Sequence, residues 1–342
     1  MRYPTISVIT PTFNSSKTIE KALASIRKQN YPQDKIEILI IDGGSTDATK
    51  DIVKQFDVRI VDVDPKKQNV ELNKAIGVKK AKGELLLMLD HDNIFPNRYL
   101  LSKMVKPFIE IPDMVGVETL HYHYDKKITL LDRYFALFGV TDPIAYYLGK
   151  ADRMSYLTDS YSEIYNPRDC GDYYLVHFVP GKIPTIGANG FLIKRKTLIE
   201  NADIRQGKFF HIDVNVDLIK KGFDTYAFVK GSVLHIAGHG NIVYYLKRRM
   251  FFLKQYYLNE NNMSIQKARR YSVYGKEDFW KLVLFIVISA TFIIPLIESI
   301  RGYRKIHDKA WFIHPILCFG FLVMYGYVIL DHRLRIVARK SF

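Results

Sequence analysis

An alternation in the first quarter of the chain constrains the fold more than any other feature. Four short apolar runs, SVIT (7–10), IEILII (36–41), VRIV (58–61) and ELLLML (84–89), are separated by segments with helical spacing. Residues 16–29 set Ile19, Leu23 and Ile26 at helical spacing, with Ser15 or Ser16 available as N-cap. Ser45 can cap a helix running to about Phe56, and residues 70–81 read as a third helix. The order βαβαβαβ predicts a parallel sheet covered by helices on both faces. Such a sheet offers its ligands a site at the carboxyl ends of the strands.

The strand exits carry the chemistry. Asp90-His91-Asp92 follows the fourth run directly. Two carboxylates one residue apart can hold one hard divalent cation, which takes oxygen ligands and bridges a diphosphate. The tripeptide alone is common in solvated loops; its place after the fourth strand gives it weight. Asp42 ends the second run and precedes Gly43-Gly44-Ser45-Thr46-Asp47. The glycines allow close backbone approach, and the carboxylate can accept from a base N–H or a ribose hydroxyl. A plain turn with Ser45 as helix cap is an equal alternative. Pro11-Thr12-Phe13-Asn14 closes the first strand, where an aromatic ring and an amide can sandwich and read a base, or simply turn the chain.

Three stretches, SVITPTFNSSKTIEKALASI, ILIIDGGSTDAT and KKAKGELLLMLDHDN, resemble a family 2 glycosyltransferase of the GT-A type over roughly residues 4–235. The resemblance implies a Rossmann-like α/β domain, a nucleotide-diphospho-sugar donor, a Mg²⁺ or Mn²⁺ ion and inversion at the anomeric carbon. It assigns Pro11, Phe13 and Asn14 to the base and ribose site, and Asp42 to the base, most often uracil. Asp90, with His91 beside it, goes to the ribose or metal-bound water, and Asp92 to the metal. The chain departs from the family pattern twice. Where the family often has Ala-Arg-Asn-x-Gly, this chain has Asn73-Lys74-Ala75-Ile76-Gly77. Lys74 can still meet a phosphate, as a point charge rather than a fork, whereas Ala75 cannot replace an amide. Where the family shows Glu-Asp ahead of a helix, this chain has His211-Ile212-Asp213. Asp213 matches the base position, and Asp217, one turn later on the same face, is the runner-up. The plainer reading of Asp213 is a helix N-terminal charge favoured by the dipole. Gly187-Ala188-Asn189-Gly190 is expected to shape the acceptor side. His235 is expected to join Asp92 and Asp90 as a metal ligand, with His239 a weaker candidate; a strand histidine and a loop histidine are the alternatives.

Charge and hydropathy describe the rest. The 50 Lys and Arg against 35 Asp and Glu give +15, which favours an anionic partner. Nucleic acid is not expected, because no groove-reading motif or stacking platform appears. Two cysteines give neither a disulfide framework nor zinc spacing. The apolar run at residues 5–10 ends at Pro11, short of a signal-peptide core. Residues 242–258 put Ile242, Leu246, Met250, Leu253 and Tyr257 along one face among Lys247, Arg248, Arg249 and Lys254. That is the profile of an interfacial helix meeting anionic headgroups or the phosphate of a lipid carrier. Leu282–Ile297 is uncharged for 16 residues and Ala310–Leu330 for 21. These span about 24 and about 32 Å against a hydrocarbon core of about 30 Å. Trp280, Tyr303, Trp311, Tyr325 and Tyr327 read as interface anchors, with some of them core aromatics. Lys and Arg number five in 264–281, four in 298–309 and four in 331–342, so the positive-inside rule is nearly indifferent.

The expected organisation is a GT-A domain over 1–240, a basic amphipathic helix and linker over 241–278, two membrane segments within 279–331 and a basic tail over 332–342. Two crossings are expected; Pro295 in the shorter segment makes a re-entrant hairpin the alternative. The expected function is a membrane-attached inverting glycosyltransferase. It moves a sugar, most simply from a UDP-sugar, to a lipid-linked or surface-glycan acceptor at the cytosolic face of the cell membrane. Its partners are the donor, that acceptor and membrane lipids. The rivals are a polyprenyl-phosphate sugar synthase and a non-catalytic nucleotide-binding membrane module.

Overall fold

Four parallel strands form where the apolar runs predict them: β1 (Ile6–Thr12), β2 (Ile36–Asp42), β3 (Arg59–Asp62) and β4 (Leu85–Met88), in the spatial order β3-β2-β1-β4. β1 is buried at every residue, β2 at all but one and β4 throughout, as near-continuous apolar runs require of strands covered on both faces. The connecting helices are α1 (Ile19–Arg27), α2 (Thr49–Val53) and α3 (Val70–Lys80). The structure, a computed structural model, describes residues 3–158, 166–205, 207–237, 241–256, 258 and 275–340.

Two helix starts differ from the sequence reading. α1 begins at Ile19, because the Ser15 hydroxyl accepts from Phe13 N (3.2 Å) and holds the turn instead of capping the helix. α2 is five residues long with Ala48, not Ser45, at its N-cap, and Asp47 just ahead of it accepts from Thr49 N at 3.0 Å. The Ser45 hydroxyl is drawn back to Asp42, at 2.6 Å.

The chain continues through β5 (Asn93–Ile94), α4 (Leu100–Glu110), β6 (Gly116–Tyr122), α5 (Leu130–Phe138), α6 (Pro143–Tyr147), β7 (Arg168–Asp169), β8 (Tyr173–His177), β9 (Phe191–Lys194), α7 (Arg195–Asn201), α8 (His211–Lys220) and β10 (Thr225–His235). The sheet is mixed rather than parallel throughout. Its order is β3-β2-β1-β4-β9-β6-β10-β8-β7, with β5 paired to β10. β9 runs antiparallel to both β4 and β6, and β8 antiparallel to β10.

Two compact units divide the chain: Met1–His123 with Tyr161–Ile236, and Tyr124–Ser160 with Ala237–Phe342. The sheet belongs to the first. The second gathers α5, α6, α9 (Ile242–Tyr256), α10 (Phe279–Thr291), α11 (Ile293–Lys305) and α12 (Ile313–Lys340) around Tyr134, Phe138, Trp311, Leu317 and Phe321. The pairing of 124–160 with the C-terminal helices has no signal in local sequence pattern.

Several sequence expectations change in the second unit. The apolar stretch 282–297 is not one straight segment. Phe292 adopts φ +60°, α10 stops there, and α11 leaves at 78°. Pro295 then sits in the first turn of α11, where its missing N–H costs no helical bond. Lys309–Arg335 is the one helix among the described residues long and apolar enough alone to cross a membrane. Trp311 is fully buried and donates from Nε1 to Ile306 O (3.0 Å), so it is a core residue rather than an interface anchor; Trp280 is 77% exposed. On α9, Ile242, Leu246 and Met250 pack on the core of this unit, where the sequence reading set them on a membrane-interface face. Arg249 and Lys254 bond Asp142 (3.3 Å) and Asp331 (3.0 Å), so two of the three cations expected at headgroups, Arg248, Arg249 and Lys254, are engaged within the protein. Tyr257 lies outside the described residues.

Gly77 of α3 fits against β1 with no spare room: a Cβ there would lie 2.3 Å from Ile9 Cγ2. Gly77→Val is therefore expected to cost about 2–3 kcal/mol by overpacking, read as a lower urea midpoint at unchanged slope.

Candidate active site

The register pairs Thr12 with Asp42, so β1 and β2 end level, and their exit turns are stitched together. Asn14, at φ +50°, donates its N–H to Ser45 Oγ (2.9 Å) and accepts from Thr46 N (2.9 Å) on its side-chain oxygen. Asp42 has no exposed surface. Its Oδ1 accepts from Thr12 Oγ1 (3.0 Å) and Ser45 Oγ (2.6 Å); its Oδ2 accepts from Gly44 N (3.0 Å) and Ser45 N (2.8 Å). Burial opposes its charge, but hydrogen bonds from Ser45, Thr12 and Gly44 hold the carboxyl below the usual range. In this geometry Asp42 is the acceptor that shapes the 43–45 turn, where sequence reading expected a base contact. Of the other residues assigned to the base, Pro11 is a buried β1 residue, whereas Phe13 (46% exposed) and Asn14 reach the surface.

β4 delivers Asp90-His91-Asp92 into a tight return. Asp90 N donates to Asn93 Oδ1 and Asn93 N to Asp90 O, both at 3.0 Å. His91 Nδ1 lies 2.8 Å from Thr18 Oγ1, tying this turn to the start of α1. β5 then pairs Asn93 with His235 of β10, which brings His235 Nε2 to 3.7 Å from Asp92 Oδ2. Tyr122 packs its ring on His235, with centroids 5.4 Å apart, and accepts from Asn189 Nδ2 (3.0 Å). His235 and Asp92 thus lie beside each other, and Asn189 of the 187–190 loop reaches the same place. His239 lies outside the described residues.

Lys74 differs from expectation. It is 2% exposed, and its ammonium lies 3.0 Å from Asp90 Oδ1 and 3.9 Å from Glu71 Oε1. Burial disfavours the charge, yet the two carboxylates raise its pKa above the usual lysine range. It holds Asp90 rather than projecting toward a phosphate. Glu71 accepts from His211 N (2.9 Å) and has His211 Nδ1 at 2.9 Å. Against burial, His211 and Lys74 draw its carboxyl down to about 2. Sequence reading missed Glu71: it and His211 are separated by 140 positions, and no spacing pattern links them. Asp213 lies in the first turn of α8 with no exposed surface, and Asp217 is partly exposed.

A strand order β3-β2-β1-β4 followed by mixed strands, with acidic turns gathered at the carboxyl ends of β2 and β4, defines the class of GT-A glycosyltransferase folds. Residues 7–156 match the family model "Glycosyl transferase family 2". The glycosyltransferase AglE of Haloferax volcanii is 30% identical over 136 residues, 38% of this chain and 44% of that protein. The dolichyl N-acetyl-alpha-D-glucosaminyl phosphate 3-beta-D-2,3-diacetamido-2,3-dideoxy-beta-D-glucuronosyltransferase of Methanococcus voltae is 32% identical over 123 residues, 33% of this chain and 37% of that protein. The chain thus spans less than half the length of both relatives. Among solved structures, the mannosyltransferase PcManGT from Pyrobaculum calidifontis, in complex with GDP-Man and Mn²⁺, superposes with a TM-score of 0.54 at 17% identity. The match covers 97% of this chain and 88% of that one, a likeness of fold.

Asp42 and Glu71, both held below their unfolded values of about 3.9 and about 4.3, stabilise the fold fully above pH ~4.5. That contribution drains away as pH falls toward the Glu71 value of about 2. The expected outcome is a melting temperature that falls steeply below pH ~4.5. Asp42→Asn should lower it at neutral pH and flatten the acid slope, since an amide nitrogen in place of Oδ1 cannot accept from Thr12 Oγ1 and Ser45 Oγ.

Proposed function

We propose that this protein is a membrane-attached inverting glycosyltransferase that moves a sugar from a nucleotide-diphosphate donor to a lipid-linked or glycan acceptor. One observation carries the reading: the strand-exit turn holds Asp92 beside His235, level with the Asn14–Ser45 turn, in a family 2 domain. A UDP-sugar is the first donor to test on the family resemblance. GDP is the second, because the Pyrobaculum mannosyltransferase binds GDP-Man. The lipid-linked acceptor is supported by the Methanococcus relative, named for transfer to a dolichyl phosphate-linked sugar.

The residues present fit a divalent cation. His235 Nδ1 is buried with no hydrogen-bond partner among the described residues, and its Nε2 faces Asp92. A carboxylate and an imidazole suit a metal of the Mg²⁺ to Mn²⁺ kind, with Mn²⁺ favoured by the nitrogen donor. Among the described residues no three His, Cys, Asp or Glu side chains converge as a complete site. The chain would therefore supply part of the coordination shell and the donor diphosphate the rest, with Asp92 and His235 as protein ligands and Asp90 held alongside by Lys74. When bound, such an ion neutralises charge on the leaving diphosphate. Phe13 and Asn14 would cover the base, beside Pro11 and the turn shaped by Asp42. Asp213 would take the proton from the acceptor hydroxyl as its oxygen attacks.

Attachment to the membrane is carried by the apolar helix Lys309–Arg335, whose outward stripe includes Ile316, Phe319, Val323, Tyr327 and Leu330. The catalytic side would be cytosolic, where nucleotide sugars are made. A second reading, transfer to a polyprenyl phosphate, is favoured by one observation: Asp213 has no exposed surface, and an acceptor already ionised needs no strong base.

The test is a thermal-shift screen of nucleoside diphosphates and their sugars with and without Mn²⁺. One nucleotide is expected to give a metal-dependent shift, and Asp92→Ala to abolish the metal dependence; an unchanged shift in that variant would refute the metal assignment. In transfer assays Asp213→Asn is expected to lose at least a hundredfold in kcat. Full activity in that variant would favour the phosphate acceptor, and no hydrolysis or transfer across the donor panel would favour a binding-only module.

A further inference from the structure

The first turn of α8 is held from outside its own helix. Its N-cap residue is Phe210, which has no side-chain acceptor to offer the leading N–H groups. Glu71, on α3, supplies one. Its Oε2 accepts from His211 N at 2.9 Å, and its Oε1 lies 2.9 Å from His211 Nδ1. Because an ionised carboxylate only accepts, the imidazole proton sits on Nδ1. The carbonyl of the same residue is gripped separately. Asn215 Nδ2 donates to His211 O (2.7 Å), and a Cβ on Gly187 would meet that oxygen at 2.7 Å. Glu71 also faces the other way, toward Lys74 at 3.9 Å, and Lys74 reaches Asp90 at 3.0 Å. Glu71 is 3% exposed and Lys74 2%, so both charges depend on these partners for compensation.

Resting on the glycosyltransferase reading above, we infer that Glu71 and His211 are positioning residues that lock the base-bearing turn of α8 to the donor-side turn at Asp90. The bidentate grip fixes where α8 begins, and so where Asp213, two residues on, points. The Lys74 contact fixes the same carboxylate relative to Asp90. Donor and acceptor groups are thereby set against each other by one buried anion.

The experiment compares the full chain with Glu71→Gln, Glu71→Asp, His211→Gln and the Glu71→Gln/His211→Gln double variant, using the nucleotide sugar that gives the metal-dependent shift. His211→Gln is expected to lower kcat at least tenfold while donor KM stays within twofold, since only the acceptor-side arm is cut. Glu71→Gln is expected to lower kcat and raise donor KM about fivefold, since it releases Lys74 as well. Glu71→Asp, keeping the charge, should recover part of the loss. The double variant should be no worse in kcat than the poorer single one, as for residues acting as one unit. Wild-type kcat in His211→Gln, or multiplicative losses in the double variant, would overturn the coupling and leave the glycosyltransferase reading intact. Losses of kcat and nucleotide shift in step with a falling melting temperature in every variant would reduce the pair to a structural role and overturn it too. No transfer by the wild-type chain across the donor panel would overturn both.

Discussion

A single buried ammonium organises the candidate site. Lys74 is almost fully removed from water, and an unpaired charge there would be strongly destabilising. Asp90 on one side and Glu71 on the other make the burial tolerable. The consequence runs in both directions. Asp90 cannot swing freely, so the acidic turn after β4 keeps one shape. Glu71 stays ionised, so it can accept from both the backbone and the ring of His211. Packing makes this possible: α3 lies tight on β1 because Gly77 presents no side chain to Ile9.

The second organising element is the pair of level strand exits. Asp42 directs all four of its short contacts into its own neighbourhood, and Asn14 ties the first turn to the second. The exposed groups of these two turns include Phe13, Asn14, Thr46 and Asp47. The mixed half of the sheet adds what parallel strands alone would not. β10 pairs with β5 as well as with β6, and that short antiparallel pairing carries His235 to Asp92.

Several charged groups of the second unit are paired within it. Asp142 bonds both Arg249 and the Tyr325 hydroxyl, Lys254 meets Asp331, and Arg133 and Tyr124 both meet Asp308. His314, inside the apolar helix, is fully buried between Tyr134 and Tyr147 within reach of Glu298. Titratable groups in such surroundings need partners for every polar atom, and α11 supplies several. Ser299 donates to Trp311 O at 2.8 Å, and Gly302 lets the Trp311 ring approach. The break at Phe292 is thus accompanied by a bonded face on α11, while Ile293, Leu296 and Ile297 stay outward.

Local pattern alone specified the four parallel strands, their connecting helices, the acidic turn after β4 and the long apolar helix near the C-terminus. Apolar periodicity is a short-range property, and strand exits follow from strand ends. The same pattern misread Ser15, Ser45, Arg249 and Trp311, because each side chain took a partner that propensity does not encode. Only tertiary structure reversed β9, joined 124–160 to the C-terminal helices and brought Glu71 against His211. Those outcomes turn on contacts between residues far apart in the chain, where burial of charge and the search for hydrogen-bond partners decide, and neither is written in any window of sequence.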